Sequence, residues 1–357
     1  LAGLKAIARK PANSYLKGTK QELNIFLRLI ARNTELRNMN WGFIGFGRIA
    51  RKFLESLLAV EGEVPYAFAS RSNAQTLQQE FPHVKVYDSY EALLQDPKVD
   101  VVYISTTHNF HCGNTIAALK AGKHVLCEKP MGVNSHEIRK MTEVAEASGK
   151  FLMEAMWTRF LPAYNEALRR AKAGAIGPLN YLTASFGFRS EDKLTAHGRL
   201  LNPELAGGAF FDVGVYPLTM AADLFGWHPE QIQVTARVGH TGVDESVQVQ
   251  LSYPEGALAQ LFASVTTGTN KEACIYGQDG FIRLPLFWKA QSFEIVKGDV
   301  IEKVELPFLS TGYAHEIIEV RDCIRRGDRQ SARVSLNESL KSAQLVEKIR
   351  GHIFKEV

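Results

Sequence analysis

Trp41-Gly42-Phe43-Ile44-Gly45-Phe46-Gly47-Arg48-Ile49-Ala50 is the stretch on which the fold turns. A β-rich run, Trp41 to Ile44, leads straight into a G-x-G-x-x-A pattern, and a helical run, Arg48 to Val60, follows. Each small residue has its own physical duty there. Gly45 permits the tight turn, Gly47 lets backbone approach a pyrophosphate, Ala50 allows close helix packing, and the helix N-terminus favours the phosphate charge. A plain turn produces the same letters. Placed between a strand and a helix at the head of a βαβ unit, they predict nucleotide binding through Gly45, Phe46, Gly47, Arg48 and Ile49.

Downstream the same rhythm repeats: strands at Val64 to Ala69, Val99 to Ser105, His124 to Cys127 and Phe151 to Ala155, with helices at Ala74 to Glu80, Cys112 to Ala121 and Ser135 to Ser148. That alternation predicts an α/β unit with a doubly wound parallel sheet over residues 39–157. After Pro162 it changes to one helix, a Gly177-Pro178 turn and then strands at Asn180 to Gly187, Gln231 to Val238, Glu245 to Ser252, Ala257 to Thr267, Glu272 to Tyr276, Gly280 to Leu284 and Phe293 to Val296. Residues 158–357 therefore read as an α+β domain with a large, mostly antiparallel open sheet, closed by helices at Ala314 to Arg326 and Leu336 to Phe354. Upstream, residues 1–38 hold eight Lys/Arg against two Asp/Glu, with Leu23, Phe26, Leu27 and Ile30 on one helical face. They read as an appended basic amphipathic leader, either a targeting peptide or an extension that docks or frays.

Composition narrows the function classes. With 45% hydrophobic and 22% charged residues in 357, the chain is ordinary globular material for two domains. Without the leader it carries 34 basic and 36 acidic side chains, so no electrostatic footprint for nucleic acid is expected. Cys112, Cys127, Cys274 and Cys323 lie far apart, which predicts no disulfide framework, no metal site and a reducing, cytoplasmic setting. No run of 18 apolar residues occurs, since Asp212 and Asp223 interrupt the longest candidate, and no membrane contact is expected.

Three further patterns carry chemistry. Where an NAD-specific chain places an acid after its second strand, this one has Ser70-Arg71-Ser72, and a hydroxyl beside a guanidinium suits the 2′-phosphate of NADP. A solvated loop arginine is the bland alternative, and NAD remains possible. Glu128-Lys129-Pro130 puts a lysine at the carboxyl edge of the parallel sheet, where it can polarise a substrate oxygen and lower the pKa of a neighbouring phenol. In Gly207 to Pro217 a glycine turn enters a helix with Asp212 and Tyr216 spaced i, i+4, either an acid and a phenol sharing a proton or a buried structural pair.

Together the fingerprint, Ala121 to Pro130 and Gly207 to Pro217 resemble the Gfo/Idh/MocA family (glucose-fructose oxidoreductase, inositol dehydrogenase, rhizopine catabolism) over residues 40 to 350. The resemblance implies an N-terminal Rossmann domain, a C-terminal domain whose open sheet forms a dimer or tetramer interface, and hydride transfer between a nicotinamide and a hydroxyl or carbonyl of a sugar or cyclic vicinal diol. It also implies that Lys129 is catalytic. Tyr216 stands where many members have His, which is similar to the branch whose tyrosine is the acid/base, with Asp212 orienting the pair. By the same resemblance Trp157, Arg199 and Trp288 line the substrate site. Ser105, Thr106, His108, Asn109 and Glu128 pass the cofactor, and Thr107 departs from the proline frequent in that loop. A non-catalytic NADP-binding regulator is the competing class, and the presence of both Lys129 and Tyr216 argues against it.

Overall fold

The computed structural model describes residues 38–189 and 194–354, so the leader up to residue 37 lies outside the described residues. The first sheet takes β1 (Met39–Ile44), β2 (Glu63–Ala69), β3 (Lys85–Tyr87), β4 (Val101–Ile104), β5 (His124–Glu128) and β6 (Leu152–Ala155) in the order β3-β2-β1-β4-β5-β6. All its pairings are parallel. The chain leaves β1 outward to β2 and β3, then restarts on the other side at β4, so the crevice between β1 and β4 is the switch point where open α/β sheets bind ligands. Helices α1 (Arg48–Leu57), α2 (Ala74–Glu80), α3 (Tyr90–Gln95), α4 (His111–Lys120) and α5 (Ser135–Ser148) make the crossovers. Helix α1 stops at Leu57, short of the expected Val60, and the chain turns back at Gly62 with φ +85°.

The sheet's interior strands are apolar on both faces. Beneath α1, Phe53 stacks on Tyr103 at 3.8 Å between centroids, and Phe43 meets Phe68 edge-on at 5.0 Å. Trp41 Nε1 donates to buried Glu63 at 2.6 Å. Each fully buried aromatic contributes about 2 to 3 kcal/mol. Pro65 cannot donate to a ladder, and β2 accommodates it where its register against β1 shifts between Trp41 and Gly42.

Helix α6 (Pro162–Lys172) leads into the second sheet: β7 (Leu179–Gly187), β8 (Gln231–Val238), β9 (Asp244–Ser252), β10 (Leu258–Ser264), β11 (Ala273–Gly277), β12 (Gly280–Leu284), β13 (Ser292–Lys297) and β14 (Val300–Glu305). Between β7 and β8 lies α7 (Val215–Phe225), and α8 (Ala314–Arg326) and α9 (Leu336–Ile353) close the chain. The strand order is β14-β13-β12-β11-β7-β10-β9-β8, antiparallel except for the parallel pair β7·β10. One stretch, Pro203–Phe225, is long and apolar enough by composition to cross a membrane, yet 83% of its apolar 18-residue window is buried inside this fold.

Helix α9 belongs to both halves. It opens on a capping box in which Ser335 and Glu338 satisfy each other's backbone N–H. It then packs on α5 and β6 of the first unit and on β8 of the second. Ser339 Oγ donates to buried Glu154 at 2.6 Å, and Glu347 accepts from Ser135 N at 2.9 Å.

Candidate active site

At the head of α1 the backbone is arranged for a diphosphate. Gly45 has φ +80°, and a Cβ there would stand 3.0 to 3.2 Å from Thr106 and Ser105, so only glycine lets the first turn lie against the β4 loop. A Cβ at Gly47 would meet nothing within 4 Å, which leaves the approach open, and no side chain caps the helix's free amides. Those amides and that open glycine fit the pyrophosphate of a dinucleotide. Ser105 Oγ donates to Gly45 O at 2.7 Å and pins the turn. Phe46 points inward, 4.1 Å from Phe68, so only its backbone faces the crevice, whereas Arg48 is exposed and Ile49 half-buried.

After β2, Ser70 Oγ accepts from Asn73 N at 3.2 Å, and Arg71 lies 4.3 Å over the Tyr90 ring with Glu91 at 3.6 Å. Stacking fixes the guanidinium plane and leaves its donor edge available for a phosphate. In the β4 loop Thr107 donates to Asn109 Oδ1 at 2.8 Å, and Asn114 Nδ2 donates to Thr106 Oγ1 at 3.3 Å. His108 Nδ1 lies 3.1 Å from Ala206 O, a pure acceptor, which makes Nδ1 the protonated nitrogen. Burial, with help from His111 and Lys129, pushes His108 down to about 3, so its ring is neutral.

The reactive groups meet where the two units join. Lys129, at the end of β5 before a cis bond to Pro130, donates from Nζ to Asp212 O and stands 4.7 Å from the Tyr216 ring centroid. Trp157 Nε1 donates to the Tyr216 hydroxyl at 3.1 Å. Asp212 Oδ1 accepts from Arg199 Nη1 at 2.6 Å. Here the i, i+4 reading needs correction: Phe210–Gly214 is a turn of π-helix, and the α-helix begins only at Val215. The wider turn, closing i to i+5, replaces the α-helical spacing at Asp212. The acid instead meets Arg199 with its carboxylate and Lys129 with its backbone carbonyl. Glu128 likewise turns its side chain to Tyr103, whose hydroxyl donates at 2.6 Å.

Aromatic rings wall the space beside Tyr216. Trp157 stacks on Tyr313 at 4.5 Å and meets Trp288 edge-on at 5.7 Å, while Trp288 stacks on Phe186 at 4.8 Å. Trp288 Nε1 is buried without a partner among the described residues, a donor left for a ligand oxygen. Phe186 and Tyr313 escape sequence reasoning, because one ends a strand and the other begins a helix with no motif around it. The nearest signal is Gly312, where a Cβ would come within 2.5 Å of the Trp157 ring.

Electrostatics set the protonation states. Burial lowers the Lys129 ammonium against the opposing pull of Asp212 and Glu128. Burial and the Glu128 charge hold the Tyr216 phenol well above its ordinary value. For Asp212, burial alone would raise the carboxyl, but the Arg199 and Lys129 charges and the Arg199 hydrogen bond bring it down to about 2. A carboxylate depressed in the folded state adds stability above its unfolded value of 3.8 and loses it as pH falls toward 2. Denaturant unfolding of Asp212→Asn should therefore differ from wild type by a constant amount above pH about 4, and the difference should shrink to nothing near pH 2. A gap that persists at pH 2 would assign Asp212 a purely steric role.

A switch-point dinucleotide cradle facing a lysine, a phenol and an aromatic pocket defines a nicotinamide-dependent oxidoreductase acting at a CH–OH carbon. Residues 39–156 match the model of the Gfo/Idh/MocA oxidoreductase family with its NAD-binding Rossmann fold, residues 164–283 match the Gfo/Idh/MocA C-terminal domain, and the chain belongs to that family. Among curated relatives, mouse trans-1,2-dihydrobenzene-1,2-diol dehydrogenase is 37% identical over 327 residues, covering 87% of this chain and 96% of the mouse protein. The human enzyme of the same name is 36% identical with the same coverage. In structure, the 3-ketoreductase KijD10 of Actinomadura kijaniata, solved with NADP and TDP-benzene, is similar at TM-score 0.79 and 25% identity over 88% of this chain and 98% of its own. Aldose-aldose oxidoreductase of Caulobacter crescentus shares the fold at TM-score 0.79 and 24% identity, over 90% of this chain and 99% of its own.

Proposed function

We propose that this enzyme oxidises one hydroxyl of a cyclic vicinal diol, or of a pyranose presenting the same pair, with NADP, or runs the reverse reduction. The carrying observation is the convergence of Lys129 from the first unit and Tyr216 from the second, the ammonium 4.7 Å from the phenol ring. A bound nicotinamide supplies or accepts the hydride. Tyr216 exchanges the hydroxyl proton, Lys129 polarises the substrate oxygen and steadies charge on the phenol, and Asp212 anchors Lys129 and Arg199 together. Trp157, Phe186 and Trp288 offer flat apolar walls to one ring face, while Arg199 and the Trp288 N–H face its oxygens. Similarity to dihydrodiol dehydrogenases over nearly the whole chain supports the diol. We place the enzyme in the cytoplasm, free of membrane and nucleic acid, as a homo-oligomer, most simply a dimer, through the open sheet, where β8 alternates exposed and half-buried residues.

Purified enzyme offered a panel of cyclic trans-diols, inositols and aldoses should reduce NADP, read by absorbance, with a cyclic diol or aldose best. Turnover with none of them would overturn the reading. Arg71→Asp replaces a stacked cation by a repelling charge, and should weaken NADP about tenfold while NAD use changes much less. An equal loss for both cofactors, measured by fluorescence of the reduced forms, would move Arg71 to a structural role.

A further inference from the structure

Two nitrogen donors serve the Tyr216 phenol, and they meet different parts of it. Lys129 Nζ lies over the ring face, 4.7 Å from its centroid, and donates to Asp212 O. The N–H that reaches the phenol oxygen is the indole Nε1 of Trp157, at 3.1 Å, and among the described residues no other group bonds that oxygen. Both side chains are buried. An indole nitrogen donates and never accepts. The phenol's own O–H therefore cannot turn toward Trp157 and stays free for an acceptor in the pocket, where a substrate oxygen would lie.

Trp157 has little freedom to leave this contact. One face stacks on Tyr313 at 4.5 Å, Trp288 meets it edge-on at 5.7 Å, and a Cβ on Gly312 would come within 2.5 Å of the ring. The short turn that carries it, Trp157–Phe160, is itself tied down. Thr158 Oγ1 donates to Trp288 O at 2.7 Å, and the Arg159 guanidinium forks onto Asp223, with Nε donating to Oδ2 at 3.3 Å. Asp223 lies on α7 about two turns beyond Tyr216, so one helix receives the turn at both points. A donor fixed in this way needs no reorganisation when charge appears on the oxygen it faces.

We propose that Trp157 is a positioning residue for proton exchange: its indole N–H turns the Tyr216 O–H toward the substrate oxygen and holds the charge on the phenol oxygen once that proton has left. This rests on the reading of Tyr216 as the proton exchanger. In reduction the substrate carbonyl carbon receives a hydride, with its electron pair, from the nicotinamide. The carbonyl oxygen takes the Tyr216 proton, and the phenolate stays on the Trp157 N–H until solvent reprotonates it. In oxidation the phenolate takes the substrate O–H proton as the hydride leaves the carbon for the nicotinamide. Lys129 acts by its charge over the ring, Trp157 by a bond to the reacting atom. Burial and the Glu128 charge raise the phenol, and the Trp157 bond works against them. The charged and titratable groups facing Tyr216 are Glu128 and Lys129 at the β5 end, Asp212 of the π turn, and Tyr313 and Glu316 at the head of α8.

Trp157→Phe keeps a ring beside Tyr313 and removes the N–H. Benzothienylalanine placed at position 157 keeps the whole bicyclic shape and puts sulfur where the N–H was. In oxidation of the panel's best substrate, either variant should lower kcat about tenfold at neutral pH and move its alkaline rise up by about one pH unit. The benzothienyl variant should keep KM within about twofold. A second readout needs neither cofactor nor substrate. With the heavy nitrogen isotope in its indoles, the protein's four tryptophans give four N–H resonances, and the one lost in W157F should move upfield and exchange faster with solvent in Tyr216→Phe. A benzothienyl variant with the kcat and pH profile of wild type, or an indole resonance that Tyr216→Phe leaves in place, would overturn the proposal. Were W157F to fail to fold, the benzothienyl variant carries the kinetic arm and its missing resonance makes the assignment. Tyr216→Phe turning over like wild type would remove the phenol from the chemistry and this proposal with it, whereas an inactive Tyr216→Phe beside an unchanged benzothienyl variant rules out Trp157 alone. Wild-type enzyme that turns over nothing would count against the diol reading, and the indole resonance would still decide the Trp157 bond.

Discussion

Lys129→Met and Tyr216→Phe are each expected to lower turnover about a hundredfold or more, the range seen when an acid/base group or its electrostatic partner is removed. The two lie 87 positions apart, yet the ammonium stands over the phenol ring. Met keeps the bulk of the lysine stem and removes only charge and donors, so the contact with Asp212 O is lost without a cavity. Phe leaves the aromatic wall intact and deletes the one oxygen that Trp157 bonds. Cofactor affinity should barely change, because the diphosphate cradle is built from Gly45, Gly47 and the head of α1. If the residues act as one unit, the double variant should be hardly worse than the poorer single one. Steady-state turnover, with binding of reduced cofactor followed separately by fluorescence, makes the comparison. Near-normal turnover in either variant would remove that side chain from the chemistry.

Asp244→Ala should be the most damaging substitution away from the reacting atoms, costing about 3 to 5 kcal/mol. Its carboxylate is wholly buried, accepting from Phe210 N at 2.7 Å and from Arg350 Nη1 at 3.1 Å. Gly208 is glycine because a Cβ there would come within 2.3 Å of that carboxylate. Removing it orphans the amide that starts the π turn and leaves the Arg350 guanidinium, sandwiched over Phe211 at 4.1 Å, without a counter-charge. For a domain of this size the loss corresponds to about 6 to 20 °C in thermal midpoint. Much of the cost comes from the abandoned arginine, so adding Arg350→Met should recover part of it. A midpoint within about 2 °C of wild type would show that the π turn holds without the acid.

The sequence made the parallel sheet legible because β1, β4 and β5 are short apolar runs between turn and helix signals, and Gly45 and Gly47 order them. It hid β3, three residues at an open edge, and α3, six residues held by a Ser89 cap. It also hid β14, whose Val300 and Ile301 are exposed, so that no buried face marks the strand. In the site, sequence reasoning named Lys129, Asp212, Trp157, Arg199, Tyr216 and Trp288, and the fold gathers them at one junction. It could not supply their pairing. Helical spacing assumes 3.6 residues per turn, whereas Asp212 lies in a π turn and pairs with Arg199, 13 positions earlier. Tyr313 had no local pattern at all, since what makes it notable is its packing on Phe53 of α1 and on Trp157.

Helix α9 sets the order in which this chain can be completed during synthesis. The first unit ends its own strands at Ala155, yet the helix that covers α5 and β6 starts only at Leu336. At about 5 to 20 residues per second, the ribosome needs on the order of 10 to 40 s to travel from the end of α5 to the start of α9. Through that interval the apolar surface around Ile138 and Met141 waits uncovered, and buried Glu154 lacks the Ser339 hydroxyl that will satisfy it. The β6 edge of the first sheet is therefore covered only after α9 has been made, and a chain cut short before Leu336 would leave that edge bare.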